Sequence, residues 1–107
     1  MSSSPRWRLA AAVASLVVAT ACAGPTSHAV AMRGMAFAPA DLALRNGDEV
    51  VWTNDDVVPH TVSAADGAFD SGTIAPGASW RWRAQGEGTH PYACRFHPTM
   101  KGELRVR

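Results

Sequence analysis

Glycine-containing turns recur from residue 46 onward and leave room for short strands only. Tight-turn sequences stand at residues 46–48, 65–67, 75–77 and 86–88. No segment between them shows a convincing helical period. Short strands at intervals of roughly eight to twelve residues, separated by such turns, are typical of β-sandwiches. The sequence therefore predicts an all-β sandwich.

Residues 79–84 form the clearest of the predicted strands. Trp80 and Trp82 alternate there with Arg81 and Arg83, and successive side chains of a strand point to opposite faces of the sheet. The two tryptophans should therefore face the core, whereas the two arginines should face solvent. Core packing is the ordinary role of such tryptophans, and we assign them no other.

The N-terminal segment has the composition of an export signal. Arg6 and Arg8 precede an apolar run at residues 9–21, which is too short to span a membrane as a helix. Residues 19–21 read Ala-Thr-Ala, the small-residue pattern of a cleavage site. We therefore predict a signal peptide over residues 1–21 and an exported protein, in the periplasm or on the outer face of the cytoplasmic membrane.

Cys22, the first residue after the predicted cut, has two alternative fates. A cysteine that follows small residues at this point is lipidated in bacterial lipoproteins, although Ala19 stands where leucine is usual. Free secretion with an unmodified Cys22 is the alternative, and both place the cut after Ala21. Residues 22–29 are then predicted to form a tether, and residues 30–107 the folded domain.

The charge of the mature chain argues against a nucleic-acid partner. Removal of Arg6 and Arg8 leaves eight of the ten Lys and Arg residues against nine Asp and Glu, so the net charge is about −1. The sequence has no basic stripe, which nucleic-acid-binding surfaces need.

Exported proteins usually join their cysteines in disulfides. Cys94 has no obvious partner, so its presence needs another explanation.

A cluster of soft and borderline metal donors supplies that explanation. Cys94, His97 and Met100 follow one another at three-residue spacing, which lets one loop fold around one ion. His60, in a strand predicted over residues 60–64, adds a second imidazole. Two histidines, one cysteine and a weak axial methionine form the ligand set of blue-copper electron-transfer sites. We therefore predict one copper ion per chain, bound by these four side chains.

Two other kinds of site fit part of this cluster. Structural zinc usually takes four cysteine or histidine ligands, so a methionine in the fourth place favours copper. A thiol–imidazole nucleophile needs a base within reach and a third group that orients the base. The chain offers no obvious third group, and Met100 would then have no role. Taken singly, His60 and Cys94 also have the ordinary alternative of core or surface residues.

The sequence resembles the small cupredoxins of the plastocyanin and pseudoazurin group, and among them the amicyanins, over residues 30–107. The matching motifs surround both groups of donors and the turns between them. They are Trp52-Thr53-Asn54, Pro59-His60, Phe69-Asp70-Ser71-Gly72, Pro76-Gly77, Gly88-Thr89, Tyr92, Cys94, His97-Pro98, Met100 and Gly102. The two-residue gaps between Cys94, His97 and Met100 resemble those of amicyanins, whereas plastocyanins have a longer final gap.

This resemblance implies an eight-stranded Greek-key sandwich with copper at one end. The residues that it assigns to the metal are His60, Cys94, His97 and Met100. It also implies that Asn54 supports the site from outside by tying the two ligand loops together. Arg95 and Phe96 depart from the family, because a small residue and a proline usually follow the cysteine. His90 stands where an aromatic residue is common, and we do not count it among the ligands.

The predicted function is that of a type 1 copper protein that carries single electrons between transient redox partners outside the cytoplasm. A monomer without enzymatic activity is expected, because the four ligands leave no metal position open for a substrate. His97 should be the ligand nearest solvent, within a partner patch formed by Met35, Pro59, Phe96 and Pro98. The alternatives are a copper storage or delivery protein without an electron-transfer partner, and a metal-free interaction module.

Overall fold

A computed structural model describes residues 24–107, together with Ser3 and Ala14 as single residues. The predicted signal peptide, apart from those two residues, and Cys22 lie outside the described part of the chain. The described residues form strands, turns and loops. Among them, no helix is long and apolar enough to cross a membrane.

Eight strands assemble into two four-stranded sheets, which confirms the predicted sandwich. The strands are β1 (Ser27–Arg33), β2 (Ala36–Ala38), β3 (Asp41–Leu44), β4 (Glu49–Asn54), β5 (Ser63–Ala64), β6 (Ser79–Arg83), β7 (Gly88–Ala93) and β8 (Lys101–Val106). The first sheet has the strand order β2-β1-β4-β6, and the second has the order β3-β8-β7-β5. The core lies between the two sheets.

Both sheets mix parallel and antiparallel pairs. β1 runs parallel to β4, and β3 runs parallel to β8, whereas the other neighbouring strands are antiparallel. The turn at residues 46–48 therefore closes no hairpin, because β3 and β4 belong to different sheets. It carries the chain across the end of the sandwich instead.

Aromatic side chains fill much of the space between the sheets. Trp52 is fully buried and pairs across the strands with Trp80, and its ring centroid lies 5.7 Å from that of Tyr92. Phe69 lies in the segment between β5 and β6, and its ring centroid is 4.6 Å from that of Trp82. Trp80 and Trp82 face inward as predicted, since the alternate residues of β6 are half-buried. Rings of this size dominate the energetics of a core.

The first strand begins earlier than the sequence pattern indicates. The sequence places residues 27–29 in the tether, but they pair with β4. Asp48 holds this segment, because its carboxylate accepts hydrogen bonds from the His28 ring and the Thr26 N–H, both at 2.9 Å. The His28 bond, followed by bonds from backbone amides, lowers the pKa of the buried Asp48 to about 2. The tether is therefore shorter than the sequence predicts.

The strand predicted over residues 60–64 is also shorter. It reduces to an isolated bridge at His60 and the two-residue strand β5. The backbone N–H groups of the two residues between them donate to side chains and not to the carbonyls of a neighbouring strand. Thr61 donates its N–H to the sulfur of Cys94, and Val62 donates its N–H to a serine hydroxyl. Hydrogen bonds to these two side chains thus replace the strand-to-strand hydrogen bonds of the predicted strand.

Tyr92 lies over Gly102, its partner on β8, and requires a residue without a side chain there. A Cβ at position 102 would lie 2.2 Å from Tyr92 Cζ and 2.4 Å from its hydroxyl oxygen. The ring packs edge-on against Phe37, with 4.7 Å between the two ring centroids. Burial raises the pKa of the Tyr92 hydroxyl to about 12. The tyrosine therefore has little freedom to move aside.

We expect Gly102→Ala to lower the free energy of unfolding by about 1–3 kcal/mol, the usual cost of forcing extra volume into a packed core. Chemical denaturation of the variant and the wild type measures the difference. Thr89→Ala, an exposed substitution on the same pair of strands, is the control and should change the free energy by less than about 0.5 kcal/mol. Equal stability of Gly102→Ala and wild type would contradict the close packing of Tyr92.

Candidate metal centre

Three side chains with metal-binding atoms meet at one end of the sandwich. The Cys94 Sγ lies 3.7 Å from His60 Nδ1 and 3.8 Å from His97 Nδ1, and the ligand atoms of all three lie within 4.8 Å of one another. His60 and Cys94 are fully buried, Met100 is almost so, and His97 is half-buried, the most exposed of the four. The structure thus brings together the donors that the sequence singles out.

A short closed loop between β7 and β8 holds three of these donors. Cys94 follows the last residue of β7, and Met100 precedes the first residue of β8. The Cys94 N–H donates to the Met100 carbonyl at 3.0 Å, and the Met100 N–H donates to the His97 carbonyl at 2.9 Å. These two bonds fix the backbone of the three donors relative to one another.

Thr61 joins the segment that carries His60 to this loop. Its N–H donates to the Cys94 Sγ at 3.3 Å, and its hydroxyl accepts a hydrogen bond from the Arg95 N–H at 2.9 Å. Thr61 is buried. The sequence reasoning missed this residue, although its position next to a candidate ligand was an available signal.

Asn54 supports the segment before His60 and does not link the two ligand loops. The Asn54 side-chain amide donates to the carbonyls of Val58 (2.9 Å) and Ile74 (3.0 Å), and its Oδ1 accepts from the Asp56 N–H at 2.9 Å. All these partners lie on the His60 side of the site. The expectation that Asn54 ties the loops together is therefore corrected, and Thr61 makes that link.

Asp56, which no sequence pattern marks, orients the His60 ring. Its carboxylate lies 2.7 Å from His60 Nε2 and accepts from the N–H groups of Gly34 (2.7 Å) and Met35 (3.1 Å). An ionised carboxylate only accepts hydrogen bonds, so Nε2 carries a proton. Nδ1, which faces Cys94, is the ring nitrogen that a metal would take in place of a proton. Burial by itself would raise the pKa of Asp56, but the bonds from His60 and the two amides lower it.

The Cys94 sulfur lies in surroundings that favour the thiolate. Burial by itself would raise the pKa of this thiol. Hydrogen bonds from the Thr61 N–H and the imidazoles of His60 and His97 outweigh burial and lower the pKa to about 6. Within residues 24–107, Cys94 has no disulfide partner. The thiolate is the form of cysteine that binds metals, and Cys94 is therefore ready to act as a ligand at neutral pH.

Exposed apolar side chains lie around this end of the sandwich. Phe96 is 51% exposed and Met35 is 43% exposed, and Pro59 and Pro98 are exposed as well. Val57, on the same loop as Pro59, is 93% exposed and is missing from the sequence-based prediction. Grouped apolar side chains on a surface indicate a contact site for another molecule.

Comparisons with known proteins agree with this architecture. A family model described as a cupredoxin-like domain matches residues 8–106. The chain is 30% identical over 94 residues to amicyanin-alpha of Methylorubrum extorquens, and the match covers 83% of this chain and 77% of that protein. It is 26% identical over 82 residues to the amicyanin of Paracoccus versutus, covering 72% of this chain and 62% of that protein.

A solved structure of a mutant amicyanin in its Cu(I) form has a similar fold. It superposes with a TM-score of 0.72 at 24% sequence identity, and the match covers 78% of this chain and 85% of that chain. The likeness extends over most of both chains and concerns the fold.

We expect Asp56→Ala to weaken metal binding by about 10–100-fold, the usual effect of removing a group that orients a histidine ligand. Competition with a chelator measures the affinity. Asp55→Ala is the matched control, because it removes the same charge from the neighbouring position, where the carboxylate pairs with Arg33 on the surface. An unchanged affinity in Asp56→Ala would show that His60 keeps its orientation without the carboxylate.

We expect the thiol of Cys94 in the metal-free protein to titrate near pH 6, well below its ordinary value of 9.0. Thiolate absorbance in the ultraviolet, followed in a Cys22→Ser background, measures this midpoint, and Cys94→Ser provides the baseline. Because the folded pKa is depressed, the thiolate stabilises the fold fully above about pH 9, and this contribution disappears as pH falls through about 6. A midpoint near 9 would contradict the role of the surrounding donors.

Proposed function

We propose that this chain, which belongs to the cupredoxin-like domain family, binds one copper ion and carries single electrons between redox proteins. One observation carries the proposal: His60, Cys94 and His97 bring their ligand atoms within 4.8 Å of one another, and Met100 is buried in the loop that closes the same site. The function that this set supports is that of a blue copper protein.

The donor set fits copper in both chemistry and protonation. Thiolate and thioether groups are soft ligands that suit Cu(I), and imidazole also suits copper. Cys94, with a pKa of about 6, offers a thiolate at neutral pH. A structural zinc site would take a fourth cysteine or histidine where this chain has Met100.

Copper bound here supplies a one-electron redox couple. The chain keeps the donor atoms in one arrangement, because Thr61 fixes the Cys94 loop against the His60 segment and Asp56 sets the His60 ring. A fixed set of donors limits rearrangement when the charge of the site changes, which favours fast transfer. The Thr61 N–H also withdraws charge from the sulfur, and hydrogen bonds of this kind tune the reduction potential.

The exposed apolar surface near His97 is the proposed docking site for redox partners. It comprises Met35, Val57, Pro59, Phe96 and Pro98. Redox encounters use small interfaces, so brief contacts made by a monomeric carrier are expected. The carrier role is favoured over an enzymatic one, because four donors from the chain leave the metal no position for a substrate.

The export signal read from residues 1–21 supports a location outside the cytoplasm. We place the carrier in the periplasm or on the outer face of the cytoplasmic membrane, with Cys22 as the new N-terminus. Lipidation of Cys22 would retain the protein at the membrane, and an unmodified Cys22 would release it.

The copper-loaded mature protein should be intensely blue when oxidised. Cys94→Ser should abolish the thiolate-to-copper band, because the thiolate is its source. Met100→Leu should keep the copper while shifting the reduction potential, because the axial bond is weak. Visible absorption and voltammetry measure the two effects.

Thr99→Ala, an exposed substitution in the same loop, is the control and should leave both the band and the potential unchanged. A Cys94→Ser variant that stayed blue would contradict the ligand assignment. Ready release of Cu(I) to a competing chelator, without reversible cycling, would favour copper delivery over electron transfer.

A further inference from the structure

The Thr61 hydroxyl, beside the metal centre, takes part in hydrogen bonds whose directions can be assigned. The Arg95 N–H donates to Thr61 Oγ1 at 2.9 Å, and Thr61 Oγ1 lies 3.1 Å from Ser63 Oγ. Ser63 Oγ lies 3.2 Å from Asp70 Oδ1 and donates its proton to that carboxylate. Because a hydroxyl has one proton, Ser63 must accept from Thr61. Three hydrogen bonds thus run in one direction, from the Arg95 amide to Asp70, and we call Thr61, Ser63 and Asp70 the hydroxyl chain.

Asp70, at the end of the hydroxyl chain, is an ionised acceptor. The Gly72 N–H donates to its Oδ1 at 3.1 Å, and this bond, the Ser63 hydroxyl and the Arg95 guanidinium lower the pKa of the Asp70 carboxyl. Asp70 Oδ2 pairs with Arg95 Nη2. Hydrogen bonds to a charged acceptor are stronger than neutral ones, and successive hydrogen bonds polarise one another. The carboxylate therefore strengthens each hydrogen bond back to the Arg95 amide.

Arg95 contacts both ends of the hydroxyl chain. Its N–H donates to Thr61, and its guanidinium pairs with Asp70. The Arg95 side chain is 67% exposed and that of Asp70 is 42% exposed, so their attraction by itself adds little stability. The pair instead keeps the carboxylate within reach of Ser63. A small residue is usual at position 95 in the small cupredoxins and could not reach Asp70, so this closed arrangement depends on a residue in which this chain departs from them.

The Thr61 end of the hydroxyl chain is buried. A buried hydroxyl proton without an acceptor is costly, and within residues 24–107 Ser63 supplies that acceptor. Without the Ser63 hydroxyl, the Thr61 side chain would turn toward another acceptor and would lose the bond from the Arg95 N–H. The Thr61 backbone N–H, which donates to Cys94 Sγ at 3.3 Å, would then be held less firmly.

We propose that Ser63 and Asp70 are positioning residues for electron transfer, because the hydroxyl chain holds the Thr61 N–H against the Cys94 sulfur. The inference rests on the proposed function and extends it to two residues that act through Thr61. The reduced site has one positive charge fewer, so its sulfur is more negative and accepts the Thr61 hydrogen bond more strongly. This hydrogen bond therefore favours the reduced state, and the hydroxyl chain raises the reduction potential.

Amide hydrogen exchange of the metal-free mature protein, followed by NMR, tests the hydroxyl chain without copper. Ser63→Ala should speed exchange of the Arg95 amide by about fivefold, the effect of weakening one hydrogen bond, while the amides of β4 exchange as in the wild type. Ser63→Thr keeps the hydroxyl and should behave as the wild type does. Ser79→Ala is the matched control, because it removes a hydroxyl that pairs with Thr53 at 2.8 Å on the other sheet. An unchanged Arg95 amide in Ser63→Ala would overturn the proposal.

Asp70→Asn tests the charged end of the hydroxyl chain. Exchange of the Arg95 amide should again be faster, because the acceptor at the end of the chain is then neutral. Asp55→Asn is the matched control, since it removes the same charge from an exposed pair with Arg33. In a Ser63→Ala background, Asp70→Asn should change the exchange no further, because the hydroxyl that links Asp70 to Thr61 is absent. Fully additive effects would overturn the proposal, since Asp70 would then act independently of Ser63.

Voltammetry of the copper-loaded variants measures the consequence for electron transfer. Ser63→Ala changes no charge, and it should lower the reduction potential, with the equilibrium constant for reduction falling by about twofold to fivefold. Ser63→Thr and Ser79→Ala should keep the wild-type potential. A wild-type potential in Ser63→Ala, together with a faster Arg95 amide, would overturn the role in electron transfer. A wild type that is not blue and does not cycle would contradict the proposed function itself, and the exchange result separates that failure from failure of the hydroxyl chain.

Discussion

A buried thiolate is the constraint on which this structure depends. Cys94 has no exposed surface, and a charge removed from water is costly unless hydrogen bonds and charged partners replace the water. The Thr61 amide and the imidazoles of His60 and His97 provide that replacement. His60 follows a strand of the first sheet, whereas Cys94 follows a strand of the second. The two sheets must therefore be packed against each other before the sulfur has these hydrogen-bond partners.

The sandwich and the four donors could be predicted from the sequence because both depend on local signals. Alternation along β6 indicated which face is buried, and three donors stand close together in one loop. Thr61 could not be predicted in the same way, because its contacts reach Cys94 and Arg95 in the other ligand loop. Asp56 stands only four residues before His60, but no sequence pattern shows that its carboxylate faces the ring. The early start of β1 has a similar cause. The Asp48 carboxylate accepts hydrogen bonds from Thr26 and His28, and the alternation of apolar residues along the sequence does not predict such bonds.

One carboxylate connects the metal centre to the edge of the first sheet. Asp56 accepts from His60 and from both amides of the turn between β1 and β2, where Met35 has a φ of 60°. This left-handed conformation is unfavourable for a residue with a Cβ, and the hydrogen bond from the Met35 N–H offsets the cost. The group that orients a candidate ligand therefore also places an apolar side chain of the proposed partner surface.

The parallel pairing of β1 with β4 also has a mechanical consequence. A load applied through the residues before Thr26 pulls along the axis of β1. The six residue pairs that join the two strands lie across that direction, so they bear the load together in shear and do not open one after another. A domain that is held at its N-terminus while another molecule pulls on its far end therefore resists being unravelled from the strand that carries the force.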